Sequence, residues 1–469
     1  MKVLLVRPVS GTYIISPPIG LGYLATALRK AGHEAKILDC AKERFDLDAF
    51  GQFVKKVRPD AVGFQVWSCD VPNVRESLQI VKAVNPNIVT IIGGAHPSGV
   101  VEDSLRHFEN ADFAFKGEGE VGLPLLIDKL SGRKNTAFTD VPGLIWREEG
   151  TIRANPPVFV DDLDSFGFPA WDLMDPGTYP KAPHQGFMKA FPIAPIFTTR
   201  GCPYACTFCA TETIMGKKVR YRSVNNVIEE IRLLRDKYKI KEIHVEDDNF
   251  TINKRYVKEF CNKLVDGKIG VFWYCSSGIR LDLLDEEVLS LMKKANCYTL
   301  TIAIESGSQR VLDLMKKDLT LEEARKQIAL MNKTGYKPTG LFMIGFPGET
   351  RQEMEETLRF AMGLDLKRAQ FAIFHPLPGS EIFNELAAKG ELRDLDWTKL
   401  KPSEAAYESK EISAKELKSF QRKAFLIFHL RPRILFYQLK EIQSFNHLLF
   451  LLRRISDMLF PKSGRSEKI

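Results

Sequence analysis

Three cysteines lie close together near the middle of the chain. Cys202, Cys206 and Cys209 have the spacing C-x3-C-x2-C, and the apolar run before them, residues 194–199, predicts a strand. Cysteine thiolates are the usual ligands of iron–sulfur clusters. Three thiolates on one short loop can hold three irons of a 4Fe–4S cube, which leaves the fourth iron open to a ligand from outside the protein. The spacing therefore predicts an open iron–sulfur cluster.

Two other kinds of site fit this loop less well. A structural zinc site requires a fourth cysteine or histidine at a suitable spacing, and the nearest upstream candidate, His184, has no paired ligand motif around it. A disulfide cluster requires an oxidising compartment. The run that starts at Met1 is short and is broken by Pro8, which is typical of a first strand and not of a secretory signal. We therefore expect a reducing, cytoplasmic location.

Length and composition indicate a folded protein of two or three domains. The chain has 469 residues, which is too long for a single hydrophobic core of ordinary domain size. No apolar run reaches the roughly 18 residues that would predict a membrane-spanning helix. The net charge is +8, but the basic residues are dispersed and do not form a stripe interleaved with aromatic residues. We therefore expect no nucleic-acid partner.

Strand and helix patterns alternate through residues 1–150. This alternation predicts an α/β fold, a doubly wound, Rossmann-like parallel sheet whose ligands bind at the carboxyl ends of the strands. Glycine-rich turns follow two of the strands, at Gly93-Gly94 and at residues 117–120, and glycine allows a backbone to approach a ligand closely. The first strand is not followed by G-x-G-x-x-G, which disfavours a standard dinucleotide domain. The predicted strands are 3–6, 35–38, 61–66, 88–92 and 111–115.

A second alternating region covers residues 191–395. Its six strand–helix units predict a partial parallel (β/α)6 barrel, and the near-continuous apolar character of the strands is typical of burial on both faces. Chemistry in parallel barrels gathers at the carboxyl ends of the strands. Residues 151–190 form a proline-rich linker before this region, and residues 396–469 form a C-terminal helical region with a polar tail. The predicted strands are 194–199, 242–246, 271–276, 299–305, 339–345 and 370–375.

The cysteine loop, with an aromatic residue directly before its last cysteine, resembles the radical S-adenosylmethionine (radical SAM) superfamily. The segments that follow the later strands resemble the same family in their order and spacing. The resemblance implies that the amino and carboxylate groups of SAM chelate the open iron. It also implies that acidic residues after the second strand accept the SAM ammonium, and that a later glycine turn packs against the adenine. The residues assigned to SAM in this way are Phe208, Glu246, Asp247, Ser277, Glu305 and Gly345.

About 130 residues at the start of the chain resemble the cobalamin-binding domain that precedes many radical SAM cores. Cobalamin domains of the mutase type carry D-x-H-x-x-G after the first strand, with the histidine bound to cobalt. Residues 8–13 contain no histidine, and His96 begins an H-x-x-G after the fourth strand without the aspartate. We therefore expect a cobalt without a histidine lower ligand; a domain that binds nothing, or binds substrate, is the alternative. The residues assigned to cobalamin are Ser16, Pro17, Gly20, Ser68, Gly93, Gly94, Gly117 and Glu118.

The resemblance implies an enzyme with three cofactors: a 4Fe–4S cluster, SAM and cobalamin. An electron from a carrier such as flavodoxin or ferredoxin would cleave SAM to a deoxyadenosyl radical, which abstracts a substrate hydrogen, and methylcobalamin would then give a methyl group to carbon. One rival is an oxidation or cyclisation without net methylation, similar to that of the anaerobic magnesium-protoporphyrin ester cyclase. A rival of another class is a non-catalytic electron carrier or redox sensor, which needs no SAM pocket.

Residues 414–460 show a helical pattern that mixes Leu, Ile and Phe with Arg and Lys. Basic amphipathic helices of this kind can lie on a membrane surface, and they can equally cap the mouth of a barrel, which is the role we expect. Peripheral membrane contact would favour a lipid as the substrate. The expected partner is a small molecule, with lipids and tetrapyrrole-like compounds as candidate classes.

Overall fold

A seven-stranded sheet forms the first part of the fold. The computed structural model describes residues 1–10, 16–180, 188–401 and 404–440. The strands are β1 (Lys2–Arg7), β2 (Glu34–Asp39), β3 (Ala61–Gln65), β4 (Val89–Gly93), β5 (Phe113–Phe115), β6 (Leu144–Glu148) and β7 (Thr151–Ala154). The helices are α1 (Ile19–Lys30), α2 (Cys40–Glu43), α3 (Leu47–Val57), α4 (Val71–Val84), α5 (Ala95–Gly99), α6 (Val101–His107) and α7 (Gly122–Leu130).

The strand order of this sheet is β2-β1-β3-β4-β5-β6-β7, and β1 to β5 are parallel. Alternate residues of β1 enter two separate apolar cores, Leu4 on one face and Val3 on the other, because successive strand residues point to opposite faces. Helices cover both cores. The predicted doubly wound sheet is therefore confirmed.

The last two strands of this sheet are an antiparallel hairpin that the sequence analysis did not predict. Glu149 and Gly150, which join β6 to β7, both have positive φ angles, as a tight two-residue hairpin turn requires. β6 is nevertheless largely buried, with Trp146 only 4% exposed. The sheet thus extends into residues that were predicted as linker.

The second part of the fold is the predicted partial barrel. Its strands are β8 (Ile193–Ile196), β9 (Thr199–Arg200), β10 (Arg220–Tyr221), β11 (Glu242–Val245), β12 (Phe272–Cys275), β13 (Thr301–Glu305), β14 (Thr339–Ile344) and β15 (Arg368–Ile373). Its helices are α8 (Thr211–Met215), α9 (Val224–Tyr238), α10 (Lys254–Asp266), α11 (Glu286–Lys294), α12 (Gln309–Leu314), α13 (Leu321–Lys333), α14 (Arg351–Gly363) and α15 (Glu381–Ala388).

Six of these strands form two parallel sheets, in the orders β12-β11-β8 and β13-β14-β15. Isolated bridges, one of them between Ile279 and Ile302, connect the two sheets. β9 and β10 form a small antiparallel pair beside the cysteine loop, and this pair was not predicted.

The inner face of the barrel is lined but not filled. Phe342 and Ile344 of β14 point outward into the large core beneath the helices. Leu341 and Met343, which alternate with them, are only half-buried, and Gln370 in the middle of β15 is exposed. Inward-facing side chains therefore border an accessible lumen between the two sheets.

The linker and the C-terminal helices pack against the barrel. Trp171 is 2% exposed and its Nε1 donates to Oε1 of Glu230 at 2.8 Å, so this linker aromatic packs against the barrel. Within the described residues, the barrel is followed by α16 (Ala414–His429) and α17 (Pro432–Lys440). Gln421 of α16 donates to the carbonyl of Phe371, so that α16 covers the free edge of β15.

Residues 441–460 of the predicted helical stretch, and His184, lie outside the described residues. Among the described helices, none has the length and apolar character needed to cross a membrane.

Candidate functional site

The cysteine loop is fixed by backbone contacts at its start and in its middle. Gly201 has a φ of +93°, which favours glycine, and a Cβ there would lie 2.4 Å from a backbone oxygen of the β9–β10 connection. The amide of Cys202 donates to the carbonyl of Gly216 at 3.2 Å. The amide of Thr207 donates to the carbonyl of Met315 at 3.0 Å. The loop is therefore clamped between the β9–β10 hairpin and the segment after α12.

The three thiols lie close enough to affect one another electrostatically. The pKa of the Cys202 thiol is raised to about 11, chiefly by burial and in part by the neighbouring Cys209 and Cys206. Burial also raises the pKa of Cys206, while the charge of Lys317 lowers it. A bound metal displaces the thiol proton. Within the described ranges, no three Cys, His, Asp or Glu side chains converge on one ion, and a four-iron cube does not require this because each thiolate binds a different iron.

A buried ion pair lies beside this loop. Nζ of Lys317 donates to Oε1 of Glu305 at 2.9 Å, and the two side chains are 7% and 12% exposed. The same Nζ lies 5.8 Å from the centre of the Phe208 ring. Glu305 has a φ of +73° at an irregularity of β13, and strained backbone of this kind clusters at ligand sites. The structure therefore brings together Phe208 and Glu305, two of the residues assigned to SAM, and adds Lys317, which the sequence analysis missed.

The acidic residues after β11 have different surroundings. Burial raises the pKa of Glu246, which lies near His244 on the lumen side. The carboxylate of Asp247 accepts hydrogen bonds from the amides and hydroxyls of Thr198 and Thr199, and burial raises its pKa to about 6. This carboxylate braces the strand that leads into the cysteine loop, and the assignment of Asp247 to SAM stays a prediction.

Asp248 is a further residue that the sequence analysis missed. Its Oδ1 accepts a hydrogen bond from the hydroxyl of Thr211 at 3.2 Å, and that hydroxyl lies 3.3 Å from Sγ of Cys209. Burial raises the pKa of Asp248. The side chain therefore orients the last part of the cysteine loop.

Ser277 and Gly345 both lie at the carboxyl ends of barrel strands, where they were predicted. Ser277 is exposed after β12, and its hydroxyl donates to the carbonyl of Glu246 at 3.4 Å. Gly345 follows β14 with a φ of +77°, and its amide donates to Oε2 of Glu349 at 2.5 Å. A Cβ on Gly345 would lie 2.5 Å from Leu417 of α16. Glycine is therefore favoured at this turn by its backbone angle, and a Cβ would also crowd the Leu417 side chain.

The carboxyl edge of the first sheet has an exposed aromatic residue and a buried histidine. Trp67, directly after β3, is 54% exposed. His96 is fully buried; its Nδ1 lies 3.0 Å from the hydroxyl of Ser68 and its Nε2 lies 3.2 Å from Nδ1 of His107. Burial lowers the pKa of His96 to about 3. The H-x-x-G histidine is therefore a buried structural residue, and the expected cobalt without a histidine lower ligand stays a prediction.

Several residues assigned to cobalamin do lie on loops at this edge. Ser16, whose carbonyl accepts from Arg7 at 2.7 Å, precedes α1, together with the buried Pro17. A Cβ on Gly20 would have no heavy atom within 4 Å. The Gly93-Gly94 turn ends β4, and Gly94 has a φ of +103° close to the backbone of β3.

Glu118 contacts two arginines of the barrel through its carboxylate. Its carboxylate is 4% exposed and accepts two hydrogen bonds from Arg220, at 2.9 and 2.7 Å, and it lies 3.2 Å from Arg200. The assignment of Glu118 to cobalamin stays a prediction, and its carboxylate is already paired with arginines of the barrel. Gly117, beside it, has a φ of +69°, and a Cβ there would lie 2.7 Å from Pro157.

The two parts of the fold meet through the carboxyl ends of their strands. Gly99 lies after β4, and a Cβ there would be 2.2 Å from the carbonyl oxygen of Pro378, in the loop after β15. Gly379 in that loop packs against Thr213 of α8, just after the cysteine loop. Glu118, after β5, pairs with Arg220 beside the same loop. The cysteine loop and the predicted cobalamin edge therefore border a common space.

The lumen wall below this space carries an ordered polar network. Oε1 of Glu242 lies 2.9 Å from Nε2 of His244 and accepts from the hydroxyl of Tyr298 at 2.7 Å, while Oε2 accepts two backbone amides at 2.7 Å. The His244 ring packs edge-on to Tyr274 at 4.6 Å. The sequence does carry a signal for this network. The alternation Glu-x-His-x-Glu along β11 places three ionisable groups on one face of the strand, which a wholly apolar buried strand would not do.

Comparisons with known proteins agree with this geometry. The model of the radical SAM superfamily matches residues 196–361, and that of the B12-binding domain matches residues 12–127. An uncharacterized methyltransferase of Pyrococcus horikoshii is 33% identical over 461 residues, which cover 97% of each chain. The chain belongs to the cobalamin-binding radical SAM enzymes. The cofactors of this family are a 4Fe–4S cluster, SAM and cobalamin, and the three clamped thiols are the donor set that such a cluster needs.

Two further relatives differ in their activities. The cytidylyl-2-hydroxyethylphosphonate methyltransferase of Streptomyces wedmorensis is 33% identical and covers 80% of this chain and 78% of its own. The anaerobic magnesium-protoporphyrin IX monomethyl ester cyclase of Rubrivivax gelatinosus is 29% identical and covers 84% and 72%. The solved structure of TsrM from Kitasatospora setae, with cobalamin and a [4Fe-4S] cluster bound, has a TM-score of 0.67 at 21% identity and covers 83% of this chain and 75% of that chain. It shows the same fold.

Proposed function

We propose that this radical SAM enzyme transfers a methyl group to an unactivated carbon of a small molecule held in the barrel lumen. The observation that carries the proposal is the meeting of the two carboxyl ends, which gives the cysteine loop and the cobalamin edge one shared space. When bound, the cluster and SAM supply a radical that removes a hydrogen atom from the substrate, and cobalamin supplies the methyl group. The protein's own part is to bind, orient and enclose these molecules.

The residues around the cysteine loop divide this work among them. Cys202, Cys206 and Cys209 would each hold one iron. Lys317 and Glu305 offer opposite charges beside Cys206, and the methionine end of SAM carries one carboxylate and one ammonium for them to bind. Both charges are nearly buried, so their interaction with a ligand is weakly screened by water.

His244 is the proposed contact to substrate on the lumen wall. Glu242 holds one ring nitrogen, so the orientation of the ring is fixed before substrate arrives. A preorganised histidine with its other nitrogen available can bind a hydroxyl, an amine or a carbonyl of the substrate. His244 lies two residues before Glu246, on the same face of the strand. This contact would therefore lie beneath the proposed SAM site on the same wall.

Oxidation or cyclisation without net methylation is the second candidate, because a cyclase is among the relatives. Methyl transfer is favoured because the two relatives at 33% identity are both called methyltransferases. We further propose that a flavodoxin or ferredoxin supplies the electron and that the enzyme is cytoplasmic. All eight cysteines are free thiols, which suits a reducing compartment.

The experiment uses SAM with a deuterated methyl group. Protein reconstituted anaerobically with iron, sulfide and cobalamin is incubated with reductant, labelled SAM and a small-molecule extract, to which cytidylyl-2-hydroxyethylphosphonate is added as a trial substrate. We expect a product that carries the labelled methyl group, formed with deoxyadenosine, and no such product from Cys206→Ala. A product that loses hydrogen and gains no label would overturn the proposal in favour of oxidation or cyclisation.

A further inference from the structure

Two arginines on the hairpin beside the cysteine loop are buried at the junction between the two parts of the fold. Arg200 of β9 and Arg220 of β10 are directly paired across that hairpin and are 5% and 3% exposed. Burying a charge is costly unless a partner and further hydrogen bonds compensate for it. Each guanidinium must therefore have carboxylate partners close by.

Those partners come from one loop of the first sheet. Glu118 accepts two hydrogen bonds from Arg220, at 2.9 and 2.7 Å, and lies 3.2 Å from Arg200. Glu120 lies 2.8 Å from Arg200. The four side chains are all under 10% exposed, and we call them the arginine clasp. Aromatic rings complete it: the Arg200 guanidinium lies 4.9 Å from the centre of the Tyr23 ring.

The clasp joins two segments that are themselves rigid. Arg200 directly precedes Gly201 and Cys202, and Gly201 has no room for a Cβ, so Arg200 cannot shift without moving the first cysteine of the loop. Glu118 follows Gly117, whose amide donates to the hydroxyl of Ser98 in α5 at 3.0 Å. The glutamate loop is thereby tied to the loops at the cobalamin edge.

We propose that the arginine clasp couples the cobalamin site to the cluster site, so that filling one site changes the affinity of the other. This inference rests on the family's cofactors and on the shared space of the proposed function. Glu118 and Glu120 act here as positioning residues, which hold the cysteine loop at a fixed place relative to the cobalamin edge. The coupling is reciprocal. If cluster binding changes the affinity for cobalamin by some factor, cobalamin binding changes the affinity for the cluster by the same factor.

The test measures hydroxocobalamin affinity in the full-length protein with and without the reconstituted cluster. Couplings between sites are typically about fivefold or more, and we expect a difference of at least that size for the wild type. We expect Glu120→Gln, which removes one charge of the clasp and keeps its shape, to reduce the difference to less than about twofold. Asp172→Asn is the matched control, because the Arg29–Asp172 pair bridges the first sheet and the linker but is exposed, and it should leave the coupling intact.

Equal affinities in the two forms of the wild type would overturn the inference without any variant. Retention of the full difference in Glu120→Gln, with thermal unfolding like that of the wild type, would also overturn it. Failure of the proposed function can be told apart from failure of this inference. If the two sites are coupled but the product is oxidised and unlabelled, the inference stands and the proposed methyl transfer fails. If the protein methylates its substrate but the two sites are not coupled, the proposed function stands and the inference fails.

Discussion

Replacement of Glu230 by glutamine tests how the buried junction is stabilised. Glu230 on α9 is fully buried; Oε2 accepts from Nη1 of Arg222 and Oε1 accepts from Trp171. Arg222 is itself 2% exposed and lies 3.3 Å from the hydroxyl of Tyr23 in the first part of the fold. Glutamine preserves the shape of the side chain but removes its charge. The guanidinium is then left in the interior without a carboxylate.

The size of the effect follows from this burial. Removing one partner of a buried ion pair costs about 3–5 kcal/mol, because the remaining charge is uncompensated. For a folding unit of about 150–250 residues, each kcal/mol lowers Tm by about 2–4 °C, so we expect a loss of about 6–20 °C. Asp172→Asn breaks an ion pair whose side chains are 39% and 51% exposed, and such pairs contribute about 1 kcal/mol or less.

The assay is thermal unfolding of the cofactor-free protein and both variants, followed by far-ultraviolet circular dichroism. Fluorescence of the tryptophans, which include the buried Trp171, monitors the junction in the same scans. A Tm for Glu230→Gln within about 2 °C of the wild type would refute the reasoning, since it would mean that the buried arginine does not need its carboxylate.

Three further outcomes are expected. Burial raises the pKa of Glu349 to about 8 from its ordinary 4.5, so the folded protein holds a proton that the unfolded chain releases. Stability should fall as the pH rises from about 4.5 to 8, by up to about 1.4 kcal/mol per pH unit, and urea unfolding of Glu349→Gln should lack this slope. Gly99→Ala should lower the free energy of unfolding by about 1–3 kcal/mol through overpacking, because its Cβ would lie 2.2 Å from a backbone oxygen. Gly20→Ala is the control, because a Cβ there would meet open space. Equal melting temperatures for the two variants would contradict the packing argument. Lys317→Met should weaken SAM binding to the reconstituted protein by about tenfold or more, as expected for a lost charged hydrogen bond, and should leave the cluster absorbance unchanged. Lys316→Met, at an exposed lysine, is the control. Equal dissociation constants for SAM in the two variants would exclude Lys317 from the SAM site.

Local signals in the sequence were sufficient for much of the fold. The strands predicted over residues 3–6, 35–38 and 61–66 lie within one residue of the observed bounds of β1, β2 and β3, because short apolar runs bounded by turn residues determine where buried strands begin and end. The cysteine spacing likewise pointed to the loop proposed to hold the cluster, since its three thiols lie within one short segment. Features of this kind depend on neighbours in the chain.

The sequence does not reveal side-chain partners that are distant along the chain. Glu118 pairs with Arg220 about a hundred residues away, and Asp247 is bonded to threonines that lie two strands earlier. An acidic residue at a strand end looks the same in the sequence whether it faces a ligand or a buried partner. His244 was overlooked for a related reason, because only the pairing of β11 with its neighbours places its ring on the inner face of the barrel.

The most direct test of the account is electron paramagnetic resonance of the protein reduced with both metal cofactors present. Cobalamin in its one-electron-reduced form and the reduced cluster each carry an unpaired electron. If the two carboxyl ends share one space, the cobalt signal should be broadened or should relax faster whenever the cluster is reduced, and this change should vanish in Cys206→Ala. Two independent, unperturbed signals from a protein that holds both cofactors would contradict the central claim.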